Sequence, residues 1–123
     1  MTNKPWLSSY PTDVPAEINL DEYRSVVDIF DRSCEHFRDD DAFRCLGTSM
    51  TYGELDRLSR NFAALLQDRG LHPGDRIAIM LPNILQYPIA ILGALRAGLT
   101  VVNTNPMYTA RELRHQLQDS GAK

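Results

Sequence analysis

The chain has 123 residues, 43% of them hydrophobic and 24% charged, which suits a single domain of α/β class and is ordinary for a soluble globular protein. Thirteen basic residues against sixteen acidic ones leave a net charge of −3 with both signs intermingled, which excludes the basic footprint of a nucleic-acid binder. Cys34 and Cys45 are too few for a disulfide framework or a metal site and read as reduced thiols of a cytosolic protein; no secretory leader pattern and no membrane-spanning run is present.

Residues 1–24 carry Pro5, Pro11 and Pro15 without a sustained period, which predicts an extended arm. Its apolar residues Trp6, Leu7, Tyr10, Val14 and Ile18 are too many for a solvated tail and are expected to lie on a surface of the same chain, ahead of a neighbouring subunit. From residue 25 an α/β subdomain is expected to run to residue 123. Ser25 opens its first helix, with Val26, Val27, Phe30, Cys34 and Phe37 inward and Asp28, Asp31, Arg32 and Glu35 outward. The run Asp39-Asp40-Asp41 ends that helix and reads as a solvated loop rather than a cation site. Residues 42–46 and 50–52 form a short hairpin around Gly47-Thr48-Ser49, with Phe43 and Cys45 on one face.

Thr51-x-x-Glu54 is a capping box, and the helix it opens buries Leu55, Leu58, Phe62, Leu65 and Leu66 before Gly70 closes it. After the turn Pro73-Gly74-Asp75 come two apolar runs, Ile77 to Leu81 and Leu99 to Val102. Neither alternates with polar residues, as expected of parallel strands covered on both faces. The segment between them is long enough for a right-handed helical crossover. That crossover is apolar nearly all round, which places it in a core; Asn83 is its expected N-cap and Gly98 its C′ residue, with the start either at Asn83 or near Tyr87 with Pro88 in the first turn. The polar loop from Asn103 to Tyr108 then lies at the carboxyl end of a parallel strand, where open α/β sheets bind ligands, so Asn103, Asn105 and Tyr108 are the cleft-bordering candidates. A second capping box, Thr109-x-x-Glu112, opens a helix that buries Leu113 and Leu117 and exposes Arg111, Arg114, Gln116 and Gln118. The element order is α, ββ, α, β, α, β, α, and Ser120 to Lys123 falls where such a pattern enters its next strand, so the chain reads as the front of a longer protein.

No catalytic constellation accompanies this scaffold. Gly93 and Gly98 have the glycine spacing of a phosphate loop but lack the following Lys-Ser/Thr and sit at the wrong end of a helix for an anion, so they read as a coincidence of composition. His36, His72 and His115 lack metal-ligand spacing and read as surface or packing residues. No serine has an elbow or a base nearby.

Three stretches in order carry a resemblance: Met50-Thr51-Tyr52-Gly53-Glu54-Leu55, then Pro73-Gly74-Asp75-Arg76-Ile77-Ala78, then Leu95-Arg96-Ala97-Gly98 through Asn105-Pro106. Together they resemble the core motifs of the adenylate-forming enzymes. Within that superfamily the chain is similar to the bacterial long-chain fatty-acid–CoA ligases, through Trp6-Leu7 to Ile18, Leu81-Pro82-Asn83 with Gln86-Tyr87-Pro88, Asn105 to Leu113, and His115 to Gly121.

The resemblance implies the first part of a large N-terminal α/β domain and a two-step reaction: ATP and a fatty acid give an acyl-adenylate and pyrophosphate with Mg²⁺, and CoA displaces AMP. It also implies that the residues handling nucleotide, metal and catalysis lie beyond Lys123, so no catalytic, cofactor-binding or metal residue is carried over and residues 1–123 are expected to be inactive alone. As partners it implies fatty acid, ATP, CoA and the rest of the same chain. A homodimer using Trp6 and Tyr10, and peripheral contact with the cytoplasmic face of the inner membrane, are the further expectations. Two alternatives stay open: a stand-alone, non-catalytic flavodoxin-like binding module, and a ligase for aryl or medium-chain acids.

Overall fold

The computed structural model describes residues 4–123. Its elements run α1 (Val26–His36), β1 (Asp41–Cys45), β2 (Thr48–Thr51), α2 (Tyr52–Asp68), β3 (Arg76–Ile79), α3 (Gln86–Arg96), β4 (Thr100–Asn103) and α4 (Ala110–Ser120), preceded by a 3₁₀ turn at Pro5–Ser9. The α/β class and the element order are as expected. β3 and β4 pair in parallel, Arg76 opposite Thr100 through Ile79 opposite Asn103, and β1 and β2 form a separate antiparallel hairpin.

Local chemistry places most helix ends. The Ser25 hydroxyl accepts from the Asp28 amide. In both capping boxes the threonine hydroxyl accepts from the glutamate amide while the glutamate carboxylate accepts from the threonine amide. α2 and α3 close alike: Leu71 N–H donates to Leu66 O at 3.2 Å and Leu99 N–H to Ala94 O at 3.0 Å, with Gly70 and Gly98 left-handed between helix and exit.

The core lies where α3 crosses α2. Leu92 and Ala94 on α3 and Leu55 and Ser59 on α2 are fully covered. Gly93 is what lets the helices approach so closely: a Cβ there would stand 2.8 Å from both Phe62 Cδ1 and the Ser59 carbonyl oxygen. One half of the core joins Ala63, Leu66, Ile79, Ala94, Ala97 and Leu99 across helices and sheet. The other joins Cys34, Met50, Leu55 and Leu92, tying α1 and the hairpin to the same helix pair. The Gly93/Gly98 spacing therefore has a structural cause, one glycine for close packing and one for a left-handed exit, and is not chance composition.

Several expectations are corrected. Leu65 is 46% exposed, and the small Ser59 and Ala63 occupy the α2 face that meets α3, because a close helix crossing selects small side chains at the contact. α3 starts at Gln86 with Leu85, not Asn83, at its N-cap and with Pro88 in its first turn, where its missing N–H costs nothing. The hairpin reverses at Leu46-Gly47, both left-handed, the geometry that matches strand twist in a two-residue turn, so Thr48 and Ser49 belong to β2. Asp41 is the first residue of β1 and is held by Arg44 and Ser49. Val26 and Phe37 lie toward solvent at the two ends of α1, and Asp31 turns partly inward to meet a buried cation. On α4, Leu113 and Leu117 are half-buried and Gln116 reaches inward.

The N-terminal arm is not extended and, apart from the half-buried Leu7, leaves its named apolar groups exposed. Pro5, with its φ already set, starts a 3₁₀ turn closed by Leu7 N–H to Lys4 O at 3.2 Å. Further turns follow at Pro11–Val14 and Asn19–Glu22, and Lys4 pairs with Glu17, so the arm folds on itself. Trp6, Tyr10, Val14, Ile18 and Leu20 remain exposed.

Candidate functional site

The carboxyl ends of β3 and β4 open into the loops 80–85 and 104–109. Thr104 N–H adds a rung to Ile79 O at 3.0 Å, and Thr104 itself is buried. Asn103 is held from two sides: its Oδ1 accepts from the Tyr87 hydroxyl at 2.7 Å and its carbonyl accepts from Gln116 Nε2 at 2.9 Å. Asn105 Oδ1 accepts from Met107 N–H at 2.9 Å, an Asx turn that bends the chain into the Thr109 cap. The structure ends β4 at Asn103 and places Asn105 and Tyr108 in the loop that follows, with both asparagine side-chain oxygens engaged in shaping it. Tyr108 and Met107 face outward, Met107 at 84% exposure. The loop can present amide donors and a phenol but holds no nucleophile paired with a base.

Trp6 and Tyr10 sit at the start and just after the end of the 3₁₀ turn, on a different segment, and both are exposed. A shallow, mostly apolar cleft of about 240 Å³ separates the β-hairpin from the start of α3, between Phe43, Arg44 and Cys45 on one side and Asn83, Leu85 and Tyr87 on the other. Arg44 is already committed to Asp41 at 2.7 Å, which holds the Asp41 carboxyl below its usual range.

Helix positions also explain a charge cluster that spacing alone did not reveal. Arg96 ends α3 with its side chain only 7% exposed, and its Nη2 lies 2.6 Å from Asp31 Oδ1 and 2.8 Å from Asp56 Oδ1. Arg60 adds a 2.9 Å contact to Asp56, so one buried guanidinium clamps α1, α2 and α3 together. The available signal was that Arg96 is the sole charge on an otherwise apolar helix, so it requires acidic partners from its neighbours. Tyr87 and Gln116, which hold the loop, left no comparable signal. Burial raises the pKa of the Cys34 thiol beneath this cluster, with the Asp56 charge acting the same way, so Cys34 is an unreactive packing thiol.

Among the described residues no group of His, Cys, Asp or Glu side chains could hold a metal ion. The best-placed carboxylates, Asp28, Asp41, Asp56 and Asp75, are each taken up by cations of the chain. These residues therefore do not fit an Mg²⁺ site, and no step through the ion is assigned to them.

The arrangement matches a known family. Residues 30–123 fit the family model described as AMP-binding enzyme. The chain belongs to that family. Over 120 residues it is 57% identical to a long-chain-fatty-acid–CoA ligase of Escherichia coli O6:H1, a match covering 97% of this chain and 21% of the relative. Against the ligase of the same description from Bacillus subtilis strain 168, identity is 41% over 119 residues, again 97% of this chain and 21% of the relative. The chain thus spans about a fifth of the length of these relatives.

Among solved structures, the N-terminal subdomain of Klebsiella oxytoca NpsA superposes with a TM-score of 0.77 at 30% identity, over 80% of this chain and 26% of that one. VinN superposes with a TM-score of 0.76 at 33% identity, over 79% and 26%. Both capping boxes and the βαβ unit fall inside residues 30–123, the stretch that fits the family model.

Proposed function

We propose that the chain is the N-terminal portion of an AMP-forming long-chain fatty-acid–CoA ligase, converting a fatty acid, ATP and CoA to acyl-CoA, AMP and pyrophosphate, with Mg²⁺ accompanying the nucleotide. The observation that carries this reading is 57% identity sustained over 97% of the chain to a ligase of that description. The geometry supports a framework role: capped helices, a tightly crossed helix pair and a parallel strand pair whose loop ends present no reactive pair. The NpsA subdomain structures with aryl-AMSN compounds, at about 30% identity, leave aryl acids as the second substrate class.

The test is pyrophosphate release and thioester formation by the full-length protein. Palmitate is expected to be activated far better than benzoate or anthranilate, and residues 1–123 alone are expected to activate neither. A preference for the aryl acids would overturn the substrate reading, and activity of the 123-residue portion would overturn the framework role. A cytoplasmic enzyme that touches the inner membrane peripherally, and that dimerises through Trp6 and Tyr10, completes the proposal. Its support is the exposure of those two side chains. An unchanged sedimentation coefficient on deleting residues 2–18 of the full-length protein would remove the dimer arm from it.

A further inference from the structure

We draw no further inference here: the strongest candidate, the cavity of about 390 Å³ between α1 and α2 lined by Arg60, Gln67 and the buried Arg96, whose Nε has no hydrogen-bond partner among the described residues, belongs to the Arg96 clamp already described, and nothing in the structure shows what occupies it.

Discussion

α2 and α4 begin with the same device and end in different circumstances. Thr51 with Glu54 and Thr109 with Glu112 make the same reciprocal pair of bonds. Yet α2 carries four buried residues, Leu55 and Ser59 completely covered among them, and α4 carries none. α4 is attached at its flank by Gln116 to Asn103 and beyond its end by Lys123 to Asp75 and Arg76. A capping box sets where a helix starts; what the helix packs on is decided by the opposing surface.

The largest expected effect separates these cases by burial. Leu55→Ala empties a site with no solvent exposure and should cost about 3–4 kcal/mol, whereas Leu117→Ala on the half-buried face of α4 should cost about 1 kcal/mol. Both are read by native-state hydrogen exchange in the full-length protein. Equal losses would mean that α4 is packed as firmly as α2. Next is Gly93→Ala. A single methyl would meet the Ser59 carbonyl and Phe62 at 2.8 Å, and one of those neighbours is backbone that cannot swing away. The helix-propensity gain of roughly 1 kcal/mol is outweighed by overpacking, for a net loss of about 1–2 kcal/mol in the same assay. A stabilised Gly93→Ala protein would show that the helix pair has room to separate.

The caps provide a finer comparison. Thr51→Ala and Thr109→Ala should each cost about 1 kcal/mol, but they should be visible in different places. Loss of the Thr51 cap should lower protection throughout the core, because α2 touches both halves of it. Loss of the Thr109 cap should speed exchange only within α4 and at Asn103. If both variants change the same set of amides, α4 is part of the cooperative core.

What was legible in the sequence follows the same division. Ser25, the two capping boxes, Gly70 and Gly98 act within a few residues, so the helix ends they make were readable, as were the two strand runs and the crossover between them. What was not legible depends on partners distant in sequence. Leu65 looks as suitable as Leu66 for a buried face until α3 arrives with Gly93 and selects Ser59 and Ala63 in its place. Asp31 looks like an outward charge until Arg96 is laid beside it. Gln116 looks like surface until Asn103 is found to need a donor. The loop from Asn103 to Tyr108 was readable as a location, from its place after a parallel strand, but the engagement of its asparagine oxygens in the fold was not. The apolar arm was expected against its own chain, and the described residues leave it uncovered.

The smallest expected effect is a pH dependence confined to the attachments of α4. The Glu112 carboxyl is held below its usual range, chiefly by the Thr109 hydroxyl and then by the Thr109 amide. Asp75 is lowered in the same sense, first by the His72 amide and then by the Lys123 ammonium beyond the helix's far end. A carboxyl with a depressed folded-state pKa binds fewer protons folded than unfolded. Its contribution is therefore present above the ordinary carboxylate pKa and disappears as the pH falls through the folded value. Acidification from about pH 5 downward should then loosen α4 at both ends before it reaches the apolar contacts of Leu55, Leu92 and Ala94 at the α2–α3 crossing. Exchange rates corrected for intrinsic pH effects should show α4 amides losing protection first. Glu112→Gln, which keeps an acceptor oxygen but cannot titrate, should flatten that dependence at the amino end of α4 and leave it unchanged at Lys123. If the variant and the parent titrate alike, the acid sensitivity of α4 originates elsewhere, and the Glu112 bonds do not distinguish its hold from that of α2.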